Sequence, residues 1–485
     1  MKITYDFLRD THVKHACCSK IIVKFFHYDE KIKYERYGDL LMETIRQAAL
    51  FFLGFKPYVM LPVIIFILAL VFRIKLRTAI TSAFTIGIGF IGIFIVFDYF
   101  VAIINPVIQA LVGRTGLKLN ILDAGWPPLA AITWSFGFAP LFILLIMVVN
   151  LVLLLTKLTK TVNIDIWNYW HFIFAGALVY NETKNILLSS LATVVISIIT
   201  LKLADFSAPI VNKFSGMEGI SIPTLSAAAY FPFGIIGNKI IDKVPFINKI
   251  DANPEKMKEK LGLAGEPMII GFVLGIILGI SGGYEIRKIT ELSFGIAAVI
   301  FILPKMANIV GTSLIPISEG MKEFIKKHFP SIGKTYIALD VAVLVGFPSV
   351  VVTAILLMPV ALILALVLPG VKFIPLGDLV NIMGTVALVC VATKGNVIRS
   401  FFIGIPIVAI HLYTASNMAS MYTTLASSVN YKLENYQGTF TSFLDGGNVI
   451  RVWLVNLFSG NNYALLLAPA FLLMFFFTWK LARKG

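Results

Sequence analysis

Apolar stretches close to the length of a bilayer crossing recur from one end of this chain to the other, and nothing else in it narrows the fold so far. Roughly 20 apolar residues cross a hydrocarbon core. Runs approaching that length lie at 50–72, 79–105, 133–156, 168–183, 185–205, 267–284, 291–316, 349–370, 377–393, 400–420 and 462–479. Only 14% of the residues are charged, where a soluble domain carries about 25%. The reading is an all-α polytopic membrane protein of about 11 transmembrane helices.

Four further segments, 119–132, 216–237, 336–349 and 440–460, are apolar yet broken by Gly, Pro and acids. Irregular backbone at membrane depth must be buried in protein or line a cavity, so these are expected to be paired re-entrant hairpins. The one long hydrophilic break, Asn238 to Glu266, holds Lys239, Lys243, Lys249, Lys256, Lys258 and Lys260. It divides the chain into a first repeat at 42–237, a cytoplasmic loop at 238–266, a second repeat at 267–460, and a final span with a basic tail at 461–485.

The net charge of +15 would raise the question of nucleic acid in a soluble chain. Here the basic residues cluster in short loops between apolar runs, as membrane charge bias predicts, and no nucleic-acid partner is expected. With the lysine-rich loop inside, alternation places 22 basic residues on the cytoplasmic side and 10 outside, Arg451 among the latter. The N-terminus of the membrane unit is then outside and the C-terminus cytoplasmic. Residues 1–41 break the pattern: they carry eight Lys/Arg, six Asp/Glu, Cys17, Cys18 and three histidines. They read as an N-terminal extension outside the native fold. Cys390, in the apolar run ALVCVAT, reads as an inert core thiol.

The two halves echo one another. LDAGWPP around Asp123 matches LDVAVLVGFP around Asp340, and DIWN at Asp165 matches DLVN at Asp378. Five spans precede the loop, so the second half enters the membrane in the opposite sense. Inverted repeats of this kind hold their substrate near the midplane, at broken helices.

Gly87, Gly89 and Gly92 spell GxGxxG, but inside an apolar run without βαβ context they indicate close helix packing. Gly271, Gly275 and Gly279 read the same way. No nucleotide, cofactor or metal site is expected. The densest polar cluster in an apolar region is NIDIWNYWH, with Asp165, Asn168 and His171. Ionisable groups in hydrocarbon cost at least ~2.5 kcal/mol, so these must face protein or a cavity. Trp167 and Trp170 suit an interfacial belt, or the C–H face of a sugar-like ligand. His171 is either functional or a satisfied structural histidine. Asp123 and Asp340 either accept hydrogen bonds from neighbouring ligand hydroxyls or cap the amides of a broken helix. Glu218 and Thr224 in MEGISIPT, Asp445 to Asn448, and Asp378 with Asn381 complete the candidates.

LDAGWPP, VNIDIWNYWHFIFAGAL, MEGISIP, GEPMIIGFVLGIILGI, ALD at 338–340, FIPLGDL and DGGNVIR occur in this order. Together they closely resemble the galactitol-type IIC subunit of the bacterial phosphotransferase system, from about Met42 to the C-terminus. Family members carry Gly-His where this chain has Gly346 and Phe347, which leaves the polyol open. The resemblance implies a homodimeric inner-membrane permease that binds a hexitol, galactitol foremost, from outside. A separate IIB subunit carrying phosphocysteine, itself served by IIA, would phosphorylate it inside. The chain is more remotely similar to the ascorbate IIC, which implies two inverted five-span repeats, paired hairpins and an elevator-like moving core. On that similarity His171, Thr224, Asp340 and Ala124 to Trp126 fall at ligand-contacting positions.

The expected substrate-binding residues are Asp123, Trp126, Asn168, His171, Glu218, Thr224, Asp340 and Asp378. His171, Asp340 or Glu218 could take the hydroxyl proton during phosphoryl transfer, and the sequence does not choose among them. No residue is a convincing phosphoryl carrier. The competing class is an H⁺- or Na⁺-coupled secondary transporter with Asp123 and Asp340 as its ion-linked carboxylates.

Overall fold

A computed structural model describes residues 57–483 except 114–119, 164, 246–248, 251, 255–262, 264–265, 329–332, 434–435 and 437, together with Thr44 and Gln47. The expected extension at 1–41 and Lys256, Lys258 and Lys260 of the loop lie outside the described residues.

The first half runs through α1 (Pro57–Val71), α2 (Leu76–Gly113), β1 (Ile121–Asp123), α3 (Trp126–Trp134) and α4 (Ala139–Leu155). It continues with β2 (Thr161–Val162), a 3₁₀ turn (Ile166–Tyr169), α5 (Trp170–Thr183), α6 (Ile186–Ser215), β3 (Ile220–Ser221), α7 (Leu225–Ala228) and α8 (Phe231–Ile241). The second half repeats much of that order. It comprises α9 (Pro267–Ser281), α10 (Ile286–His328), β4 (Tyr336–Ala338), α11 (Ala342–Val345) and α12 (Pro348–Val367). A 3₁₀ turn (Leu379–Asn381), α13 (Ile382–Ala392), α14 (Val397–Ser428), β5 (Thr439–Thr441), α15 (Val449–Phe458) and α16 (Asn462–Ala482) complete it. Local signals recur as well. Lys184 and Lys394 both take left-handed φ angles, 52° and 56°. Each precedes a long helix whose Asn N-cap, Asn185 or Asn396, accepts amide hydrogens of the first turn.

Where they are described, the expected apolar runs fall on helices. By length and composition five described helices suffice to cross a membrane: Leu76–Ile104, Ile186–Ser215, Pro348–Val367, Val397–Ser428 and Asn462–Ala482. The pair α3 and α4 makes a sixth if counted together, although it bends by 95°. Of the other helices, α1, α5, α8, α9, α13 and α15 have 10–15 residues, whereas α10 has 43. The molecule is a polytopic membrane protein.

The expected hairpins contain something the sequence reading did not anticipate, namely strands of two or three residues. β1 pairs in parallel with β5, Leu122 opposite Phe440. β4 lies between β2 and β3, with Ile337 opposite both Val162 and Ile220. Each pairing joins the two halves. Backbone away from water must find partners, and at these breaks each half supplies them to the other.

The glycine stripes behave as expected. Gly271, Gly275 and Gly279 let α9 lie on α10 so closely that an added Cβ would come within 2.7 Å of Ile300, 2.4 Å of Ser293 and 2.9 Å of Ile289. Gly89 and Gly92 bring α2 onto Val310 and Met306 of the same helix. α1, α2, α9 and α10 thus pack as one group, while α5, α6, α8 and α12–α15 form the other around the strands.

Candidate functional site

The two 3₁₀ turns are built alike. Asn168 Nδ2 donates to Asp165 Oδ2 at 2.8 Å, and Asn381 Nδ2 donates to Asp378 Oδ1 at 2.6 Å. The D-x-x-N spacing therefore ties each turn to itself before its helix begins. Asp378 is fully buried and accepts also from Ser442 Oγ at 2.5 Å and Leu444 N at 3.3 Å.

Asp123 and Asp340, matched in sequence, have different surroundings. The Asp123 carboxylate is buried and surrounded by backbone amides: Gly125 at 3.2 Å, Phe443 at 2.9 Å, Gly377 at 3.0 Å and Asp378 at 3.1 Å. Those four donors occupy the acceptor positions two carboxylate oxygens offer. Asp340 is half-buried. It takes one amide, Ala342 at 2.8 Å, and the hydroxyl of Thr224 at 3.2 Å. Thr224 Oγ1 accepts from Val341 N at 2.9 Å and from Asn168 Nδ2 at 3.1 Å. Asn168, Thr224 and Asp340 thus form one chain, and among the described residues two hydrogen bonds reach the carboxylate of its last member, of about four it can accept.

His171 stands in the first turn of α5, directly after Trp170. Its ring stacks on Trp170 at 4.0 Å, and Trp170 stacks on the half-buried Trp126 at 6.3 Å. Trp170, only 2% exposed, is no interfacial belt residue. Its face is taken by His171, Trp126 and the guanidinium of Arg451, 5.5 Å from the ring centre. The side chain of Trp167 lies outside the described residues. Glu218 is exposed in the turn before β3, and no contact joins it to this group among the described residues. Among those residues no three His, Cys, Asp or Glu side chains gather as a metal site requires.

Sequence reasoning missed Arg451. Counted among the outside charges, it is fully buried in the first turn of α15 and drops out of the surface bias. Its Nη1 donates to Asp445 O at 2.5 Å, and its Nη2 lies 2.9 Å from His171 Nδ1. The signal was the string DGGNVIR: a cation three residues after an Asn cap, in an apolar helix, needs an internal partner. His411, on α14 beside Tyr230, is also buried and was not singled out. Cys390 is buried against Ser349 and Thr353.

Set against known proteins, residues 51–435 match the family EIIC-GAT, described as a PTS system sugar-specific permease component. This chain belongs to that family. It is 31% identical over 436 residues to the PTS system galactitol-specific EIIC component of Escherichia coli K12, covering 89% of this chain and 96% of that protein. A putative permease IIC component of the same organism is 33% identical over 368 residues, 76% of this chain and 84% of the relative. EIIC-GAT membership makes the chain a multi-pass inner-membrane permease component of a sugar phosphotransferase system, a setting that implies a sugar or sugar-alcohol substrate and IIA and IIB partners. Asp340, His171 and Trp126 all lie within the matched span.

Proposed function

We propose that this chain binds a hexitol, galactitol foremost, and carries it across the membrane while a IIB subunit bearing phosphocysteine phosphorylates it. The observation that carries this reading is the chain from Asn168 through Thr224 to Asp340, with an aromatic stack of Trp126, Trp170 and His171 alongside. A polyol presents hydroxyls on carbons that also bear C–H bonds. A carboxylate suits the former and an indole face the latter. In this proposal Asp340, His171, Thr224 and Trp126 touch the ligand, and Asn168 orients Thr224. Asp123 and Asp378 hold the two turns in register without touching it.

The wider arrangement belongs to the same proposal: inverted repeats, a homodimer formed through the group containing α1, α2, α9 and α10, and an elevator-like movement of the other group. The recurring element order and the crossed strand pairs support the repeats. A cleft of about 450 Å³ supports the assigned sidedness, because it gathers Lys213, Lys239, Lys394 and Leu481, which alternation places at one face.

Two measurements test this reading. Purified protein should bind galactitol in preference to arabitol and sorbitol. Vesicles should accumulate labelled galactitol as its phosphate only when IIA and IIB are supplied. Accumulation of unmodified polyol driven by an ion gradient would replace it with a secondary transporter.

A further inference from the structure

Three buried groups converge on one ring nitrogen. His171 Nδ1 lies 2.9 Å from Arg451 Nη2 and 3.3 Å from Asp445 Oδ1, and these two partners are 3.6 Å apart. A guanidinium offers only N–H donors, whereas a carboxylate offers only acceptors. One nitrogen cannot serve both, so its protonation decides which contact is a bond. The geometry chooses Arg451. The approach of Arg451 is the shorter, 2.9 Å against 3.3 Å for Asp445 Oδ1, and across it Nη2 can only donate.

Arg451 is held where it is by several independent contacts. Asn448 Oδ1 takes its backbone N–H at 3.1 Å, Asp445 O takes Nη1 at 2.5 Å, and the guanidinium lies over Trp170 at 5.5 Å and Phe174 at 5.1 Å. With Nδ1 accepting, the one N–H of a neutral imidazole sits on Nε2, for which the described residues supply no partner.

We propose that Arg451 is a positioning residue that holds His171 as its Nε2–H tautomer, so that His171 donates a hydrogen bond to a ligand oxygen instead of taking a proton from it. The donor role rests on the polyol reading above; the tautomer does not. It also decides a point the sequence left open, since His171 is then not the base of phosphoryl transfer.

The test is nitrogen-15 NMR of the full-length protein labelled at histidine, with the His171 signals identified by their loss in H171N, alongside galactitol titration. In the wild type, Nε2 should carry the proton and Nδ1 should not. R451K, which keeps a cationic donor, should preserve that pattern and bind galactitol within about threefold of wild type. R451M should move the proton to Nδ1, facing Asp445, and weaken binding about tenfold or more, as loss of a charge-assisted orienting bond implies. A protonated Nδ1 in the wild type would overturn the proposal, as would an unchanged tautomer in R451M. If R451M does not fold, the wild-type and R451K spectra decide alone. Absence of polyol binding with the expected tautomer would remove the transport reading and leave the role of Arg451 standing. Binding with the opposite tautomer would do the reverse.

Discussion

Asp123 and Asp340 occupy matching places in the two halves, yet their carboxylates are asked to do different things, and substitution separates them. Asp123→Asn puts an amide N–H₂ against backbone donors that now meet a carboxylate. Each buried group left unsatisfied costs about 1–3 kcal/mol, so D123N should lower the unfolding temperature of purified protein markedly. Asp340→Asn touches a half-buried side chain with one amide and one hydroxyl partner. D340N should therefore leave unfolding nearly unchanged and weaken galactitol binding about tenfold or more, the worth of a hydrogen bond to a charged group. Calorimetry of the two variants with and without polyol would reverse these assignments if D340N were the less stable and D123N the weaker binder only.

At the scale of elements, a close backbone approach holds the turn before α13. Gly377 sits so near Asp123 that a Cβ would come within 2.3 Å of that residue's carbonyl oxygen, a backbone atom. Gly377→Ala must push the turn away and loosen the two amides it presents to Asp123, at a cost of about 1–3 kcal/mol as for other overpacking. Denaturation of G377A against wild type measures it. The same region shows what could be read beforehand. The glycine stripes could be read from local spacing as close helix packing, and so could the need of the polar cluster at Asn163 to His171 to avoid lipid; the matched D-x-x-N strings were visible too, but not the turns that Asn168 and Asn381 tie. The strands could not be read, because two or three residues hold no alternation and their partners lie more than a hundred positions away. Arg451 was misjudged for a related reason. Its charge is visible in the sequence, but its burial depends on Asp445 and His171 being folded against it.

Considered as a whole, the molecule is fastened at the face bearing the lysine-rich cleft by contacts between α8 and α14. Arg399 Nη1 donates to Asp242 Oδ1 at 2.7 Å and to Asn238 Oδ1 at 2.7 Å. The hydrogen bond from Arg399 holds the Asp242 carboxyl below the ordinary carboxylate range. A depressed folded-state value adds stability above the unfolded value near ~3.9 and loses it as the pH falls through the folded one. Because the Asp242 side chain is 42% exposed, the bridge is worth at most ~1 kcal/mol. Asp242→Asn should be slightly less stable than wild type at neutral pH, with the gap closing in acid; a gap that persisted in acid would point away from the ion pair. Sidedness is tested at the same scale. With Cys17, Cys18 and Cys390 replaced, a single cysteine at position 394 should react with an impermeant thiol reagent only from the cytoplasm. One at position 432 should react only from the opposite side.

The crossed strand pairs bear on how such a chain is made. Leu122 meets Phe440, so an early-synthesised ribbon waits with open amides and carbonyls until almost the last segment has left the ribosome. The β1–β5 pair can close only after the three-stranded sheet has its last strand, and a ribosome that stops before residue 439 releases a product with an unfinished edge.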